Sequence, residues 1–520
     1  MRAKTDSFIA EFPLRTSASD ERVLSVRLDA ARQIYNAVLG ECLRVLSLTR
    51  ESKDWSRARS MPKSRERTAL FRAVRDRFDF KSSMADRFAI RCKNACWIGD
   101  HLSSNETQKA ALRAFSAVEQ HAFGARGRPR FKRFGEFHSV EGKTNATGIR
   151  FKDGAVEWSG LRMPLVLDPR DPKAWQAEAL ERKTKYCRLV RRRVRGRDRW
   201  YLQLVQTGSS PLVAETVPGA VIGLDLGPST IAAVSDTDAM LERFCPAVEQ
   251  PWRELRRLER AMNRSRRATN PDNFDCRGRA KKGKKRWNRS RRYHRLAEKR
   301  RERERRLAAE RKRSHGELAN RVLAQGDSIK TEKLSYRSFQ GAFGRSTKVR
   351  GAGLFVATLR RKAEACGGAV VEFSTCRTRL SQFDHLTGTY AKKPLSQRVH
   401  VLGDGSGEVQ RDLYSAFLAR FVDADTLDAR NAALAFPSAK PLLRRAASSE
   451  QHEPASGVGF PHPHALRRVR AGRPSKRGEN GREAGDVVAA RRGLRRATDV
   501  MMEPHHLLLS EPPGFIPGEV

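Results

Sequence analysis

Apolar residues recur at helical spacing from Arg22 onward, at Leu24, Val26, Leu28, Ala31, Ile34, Tyr35, Val38, Leu39 and Cys42, after a short strand-like run over 8–14. Helical patterning continues over 65–97 and 106–123 with basic residues on the polar sides, which predicts a mostly α-helical unit with a cationic surface. Short β-like segments follow. Two of them, 186–190 and 199–205, flank Arg195-Gly196-Arg197-Asp198 and predict a hairpin. The run 220–227 is rich in β-formers, is bounded by Pro218-Gly219 and Gly227-Pro228, and reads as a buried strand ending in a turn. Residues 230–235 read as a strand returning from that turn, and Trp252, Leu255, Leu258 and Met262 mark an amphipathic helix. Strands are expected over 328–332 and 369–373, with a helix over 354–362 between them. A last helix opens over 407–412 and carries Leu413, Ala416, Phe417 and Phe421 on its apolar face. Past 423, Pro, Gly, Arg and His are spread without period, so 423–520 reads as mostly disordered. The pattern is that of an α/β multidomain chain.

Asp225 sits at the centre of the apolar 220–227 run. An ionised carboxylate in apolar surroundings needs a cation, a hydrogen-bond donor or a metal. Glu332 closes a later strand, and Asp412 stands in the first turn of the last helix. Each acid has an ordinary reading: a turn cap for Asp225, an exposed strand end for Glu332, and a charge favoured by the helix dipole for Asp412. Together they suit a cluster of hard oxygen ligands for two Mg²⁺ ions, the arrangement that activates water against a phosphodiester.

Charge narrows the partners. The 520 residues suggest two to four units, and 104 Lys and Arg against 59 Asp and Glu give a net charge of +45. Nucleic acid is the leading partner for such an excess. No apolar run is long enough for a membrane span and no signal peptide opens the chain, so it is expected to be soluble and intracellular. Its 8 cysteines include no Cys-x-x-Cys pair, which fits reduced thiols and leaves no expected zinc site. Two stretches stand out as phosphate contacts. In 127–134, Arg128, Arg130, Lys132 and Arg133 interleave with Phe131 and Phe134, as in a loop that holds phosphates and stacks on bases. In 277–313, Lys284, Lys285, Arg286, Arg291 and Arg292 belong to a run too basic to pack on an apolar core over most of its surface.

Gly223-Leu224-Asp225-Leu226-Gly227, Ile329-Lys330-Thr331-Glu332-Lys333-Leu334 and Gln410-Arg411-Asp412-Leu413-Tyr414-Ser415-Ala416 resemble, in order and context, the three RuvC motifs of transposon-encoded TnpB nucleases and the compact type V CRISPR effectors. The Gly127 to Lys132 segment, the Trp200-Tyr201-Leu202 strand, the basic arm and Ser314-His315-Gly316-Glu317-Leu318 resemble that family too. The resemblance covers roughly 8–422. It implies an N-terminal β-barrel with an inserted helical recognition lobe over 1–215, then an RNase H-like RuvC domain over 216–422 that includes the arm 251–320. It also implies RNA-guided DNA cleavage in a prokaryotic cytosol, with a guide RNA and double- and single-stranded DNA as partners. Carried over, Asp225, Glu332 and Asp412 would be both the catalytic acids and the Mg²⁺ ligands.

The chain departs from the family over 376–408, where relatives carry two cysteine pairs in a zinc ribbon. The matching places here are Asp384, Thr387, Leu402 and Gly405, so the insert would keep its shape through Ser381-Gln382-Phe383-Asp384-His385 without metal. Two other readings stand beside the nuclease. Gly223-x-Asp225-x-Gly227-x-Ser229-Thr230 also resembles the phosphate loop of actin-like ATPases, and an RNA-guided repressor would bind DNA without cutting it.

Overall fold

The computed structural model describes residues 6–452, apart from 172–173, 212–213, 284, 395–396 and 406. Strand β1 (Ser7–Pro13) leads into the long helix α1 (Ala18–Glu51). Ser17 caps α1, and the Asp20 carboxylate accepts from the Ser17 N–H at 2.8 Å, so two orphan donors are satisfied reciprocally. Helices α2 (Lys53–Ser60), α3 (Arg65–Arg77), α4 (Ser82–Asn94) and α5 (Ser104–Ala122) follow. They bury a shared core with α1, including Ile34, Leu39, Trp55, Phe80 and Ala111. Short strands β2 (Ser139–Glu141), β3 (Arg150–Lys152), β4 (Ala155–Trp158) and β5 (Leu161–Pro164), helix α6 (Trp175–Glu181) and the hairpin of β6 (Thr184–Val194) and β7 (Arg197–Thr207) complete this half. The hairpin turns on Arg195 and Gly196, both at positive φ (51° and 79°), the backbone twist a two-residue connection demands.

The expected N-terminal barrel is not formed. Among the described residues the strands make an open four-stranded sheet, β1-β7-β6-β2, and a separate three-stranded sheet, β3-β4-β5. A single bridge between Leu14 and Leu165 links the two. Strands β2 to β5 have only three or four residues each, so their ladders end before a cylinder can close.

The second half is built on a five-stranded sheet in the order β10-β9-β8-β11-β12. Strands β8 (Val221–Leu226), β9 (Thr230–Val234) and β10 (Ala239–Arg243) meander antiparallel; β11 (Ser328–Glu332) and β12 (Ala369–Phe373) add parallel to β8. Helices α7 (Glu249–Thr269) and α8 (Arg291–Leu323) connect β10 to β11, and α9 (Tyr336–Arg350) and α10 (Ala352–Ala365) connect β11 to β12. A single turn α11 (Thr375–Thr378), strands β13 (Val399–Val401) and β14 (Glu408–Gln410), and helix α12 (Arg411–Ala419) follow.

Strand periodicity sorts the two faces of this sheet. Ile222, Leu224, Leu226, Ile231, Ala233 and Ile329 pack against Leu318, Val322, Phe355 and Leu359 of α8 and α10. Ala232 and Val234 face the other way, onto Leu413, Ala416 and Phe417 of α12. Gly223 lies on that second face, where a Cβ would come within 1.8 Å of the Ala416 carbonyl oxygen, so the strand needs a glycine for α12 to lie so close.

The disordered tail assigned from 423 begins too early. A small hairpin, β15 (Val422–Asp423) and β16 (Thr426–Leu427), leads into helix α13 (Ala429–His452). Ala432, Phe436, Ala439, Leu443 and Ala446 of α13 are buried in the same core as α12. These positions recur every three or four residues, which gives the helix one apolar stripe and pins it to the sheet. Residues 453–520, the rest of that assignment, lie outside the described residues.

Candidate active site

Three elements far apart in sequence bring the acids to one end of the five-stranded sheet. The parallel register of β8 and β11 runs from Val221 opposite Ser328 to Leu224 opposite Thr331, which sets Glu332 beside Asp225 on the α12 face of the sheet. Helix α12 crosses β8 over Gly223, and Asp412 lies one turn before Ala416, towards the Asp225 end. Gln410 caps α12 by accepting from the Leu413 N–H at 2.7 Å. Asp412 occupies the first turn, where the exposed N–H groups favour an anion. The Thr230 hydroxyl, across the turn from Asp225, donates to Asp412 Oδ2 at 3.0 Å. Arg411 Nε and Arg398 Nη1 stand 3.7 and 3.9 Å from the same carboxylate.

Electrostatics ties the acids together. Burial pushes the Asp225 carboxyl well above the usual carboxylate range; the charges of Asp412 and Glu332 push it further, and only Arg411 opposes them. Burial alone raises Glu332 to about 7. Two carboxyls that resist ionisation beside a third acid make a site that gains from a divalent cation, and the donor set is all hard oxygen. As the side chains stand, no three His, Cys, Asp or Glu among the described residues close around a common point that would hold a metal ion. The fit to Mg²⁺ is therefore one of donor chemistry and backbone placement, with the carboxylates still apart.

The insert between β12 and α12 folds as two tight turns around Asp384. Of the places matched to zinc ligands, Asp384 is buried, Leu402 is buried, and Thr387 and Gly405 complete the turns. The amide of Gly388 donates to the Asp384 carbonyl and that of Gly405 to the Leu402 carbonyl, at 2.9 and 3.0 Å.

The basic residues singled out from the sequence lie apart from the acids in chain and in element. Arg128, Arg130, Lys132 and Arg133 are exposed on an irregular loop, with Phe131 57% and Phe134 82% exposed beside them. Asn36 of α1 holds this loop, its Oδ1 accepting from the Lys132 N–H and its Nδ2 donating to the Lys132 carbonyl, both at 2.8 Å. Arg286, Arg291 and Arg292 are exposed at the start of α8 and in the loop before it; Lys285 is half-buried, its ammonium on the Lys282 carbonyl at 2.8 Å. Lys284 lies outside the described residues. The basic arm is an antiparallel pair, with Arg303 and Arg300 of α8 meeting Glu254 and Glu259 of α7 at 2.7 and 3.6 Å. Sequence reading missed Thr230 and Arg398 as neighbours of Asp412. Thr230 was visible in the Gly-x-Asp-x-Gly pattern as a hydroxyl after the turn, whereas nothing local marks Arg398.

No helix among the described residues is long and apolar enough to cross a membrane. No protein-family model matches the chain, and no curated protein does. Among solved structures the chain is similar to a cryo-electron microscopy structure of the Cas12f1-sgRNA-target DNA complex, at 11% identity and a TM-score of 0.41 over 79% of this chain and 98% of that one. It is also similar to a CRISPR-Cas12f ternary complex, at 13% identity and a TM-score of 0.26 over 76% of this chain and 81% of that one.

Proposed function

We propose that this chain is an RNA-guided DNA endonuclease of the RuvC type, with an RNase H-like second half in which Asp225, Glu332 and Asp412 hold two Mg²⁺ ions. The observation that carries the reading is the convergence of these acids from β8, β11 and α12, with the Asp225 carboxyl pushed up by burial and then by the charges of Asp412 and Glu332. The strand order, three antiparallel strands followed by two parallel ones, is the order an RNase H-like sheet takes. The net charge of +45 supports polyanionic partners, here a guide RNA and a DNA target. When bound, the two ions would supply a nucleophilic hydroxide and offset charge on the leaving oxygen. The chain's own part is to hold the three carboxylates at one end of the sheet: Thr230 fixes the Asp412 rotamer, and the α12 N-terminus stabilises its charge. Arg398 and Arg411 stand where they would meet a phosphate oxygen presented to the cluster.

Asp225→Ala, Glu332→Ala and Asp412→Ala should each reduce cleavage of a guide-matched target to the uncatalysed background while leaving RNA and DNA binding in place, because each removes an ion ligand and no phosphate contact. Chelation should act like all three. Cutting by Asp225→Ala in Mg²⁺ at the wild-type rate would end the assignment. A guided binder that does not cut is the second reading, favoured by the carboxylates standing apart; a wild-type chain that binds but never cleaves would establish it.

A further inference from the structure

Asp384 accepts more hydrogen bonds than a surface carboxylate has use for. Its Oδ1 receives the N–H groups of Leu386 and Thr387 at 2.9 and 3.2 Å, and its Oδ2 receives the Gly403 N–H at 2.9 Å. The fourth partner is His400 Nε2 at 3.1 Å. Lys393, whose ammonium can only donate, faces His400 Nδ1; the proton of a neutral ring therefore sits on Nε2, where it donates to Asp384. Asp384, His400 and His385 are all at least nine-tenths buried. One carboxylate thus ties the turn over 384–388 to the turn over 402–405, the task a metal ion performs when four side chains of two such turns converge on it.

The same cluster grips α12. The His400 ring stacks on Tyr414, with centroids 4.4 Å apart and planes 18° apart. The Tyr414 hydroxyl accepts from the His385 backbone N–H at 3.0 Å and lies 2.7 Å from His385 Nδ1. Tyr414 is fully buried and lies two residues after Asp412 on a nine-residue helix. We propose that Asp384 is a metal-free clasp and a positioning residue: by closing the two turns it fixes His385 and His400 against Tyr414, and so sets the height of α12 and of Asp412 over the sheet. The proposal rests on the nuclease reading for its kinetic consequence, while the clasp itself is a statement about structure.

The test uses the full chain and two variants. Asp384→Asn keeps the shape but turns one acceptor oxygen into a donor that faces donors. The second variant, D384C with T387C, L402C and G405C, replaces the clasp by four thiolates. Hydrogen exchange should show the Leu386, Thr387 and Gly403 amides protected in the wild type. In Asp384→Asn their exchange should rise together with that of the 413–419 amides. The four-cysteine variant should take up one zinc ion and recover protection of α12 only when loaded. In DNA cleavage, Asp384→Asn should lose about tenfold or more in kcat with KM unchanged, as for a residue acting through a ligand. Unchanged exchange in Asp384→Asn, loss at the turns without loss at α12, or failure of the zinc-loaded variant to protect α12 would each overturn the clasp. If the wild type cleaves no DNA, the nuclease reading fails while the exchange data still decide the clasp.

Discussion

His315 shows how much a single buried side chain can be asked to hold. Its ring is 2% exposed, stacks on Phe244 at 5.6 Å with planes 5° apart, and meets Phe355 edge-on. Its Nε2 lies 2.8 Å from the Arg350 carbonyl oxygen, so that nitrogen carries the proton and donates. Burial lowers the pKa from the usual 6.5 to about 4, helped by the charge of Arg311 and opposed by the bond to Arg350. The folded chain therefore holds the second proton less tightly than the unfolded one. The resulting stability is complete above about 6.5 and is lost as pH falls towards about 4, a change on the order of 3 kcal/mol. His315→Gln, which keeps a donor but does not titrate there, should flatten the acid limb of stability against pH in denaturant melts. Superimposable acid limbs for the two proteins would show that His315 is not the group titrating.

At the scale of elements, α13 is the piece that the sequence pattern concealed. Its apolar positions 432, 436, 439, 443 and 446 keep helical spacing. Pro437 and Pro441 break the reading, because each removes an N–H and crowds the preceding turn. Burial against α12 outweighs that cost: Phe436 is 5% exposed, with its ring 4.3 Å from His385 and 5.6 Å from Phe417. Phe436→Ala should cost about 3–5 kcal/mol. Deleting the chain from Asp428 onward should lower the thermal midpoint well beyond the effect of deleting 453–520 alone. Equal melting of the two truncations would mean that α13 contributes nothing. Elsewhere in this half, β11 and β12 end on the residues expected and α10 extends the 354–362 helix by a few residues at each end, whereas β10 and α9 stand where the pattern predicts no element, and the last helix opens at Arg411 because residues 408–410 pair as strand β14. The first half differs because barrel closure depends on strand length and shear, which three-residue strands cannot carry and which alternation does not reveal.

For the molecule as a whole, charge sets the behaviour. A chain of net charge +45 will bind any nucleic acid through phosphates, and the affinity should fall by roughly 10³-fold or more between about 50 and about 200 mM salt. Binding alone is therefore no evidence of guidance. In a guided nuclease, pairing reads the target while the protein reads a short flanking duplex. Replacing the guide segment of the bound RNA should redirect cutting to newly matched DNA at fixed salt, with mismatches next to the flank the most damaging. Cutting that ignores the guide would leave the acid cluster standing and remove the guided function.

The sequence by itself determined four of the five strands of the central sheet and the apolar faces of α7, α10 and α12, because these depend on local periodicity; it marked Asp225 through the cost of placing a carboxylate in an apolar run, and Glu332 and Asp412 became candidates only beside it. It determined the cationic character as well, since charge needs no fold to be counted. Only the tertiary structure decided that Glu332 stands beside Asp225, which follows from a parallel register set by the crossover between β8 and β11. Only it decided that Gly223 admits α12, and that Thr230 and Arg398 flank Asp412. The same holds for Asp384, which the sequence marks only as an acid where relatives carry a cysteine until Gly403 and His400 of the next turn are folded onto it. Hydrogen bonds between distant segments leave no period in a sequence; they exist only once packing has fixed both partners in place.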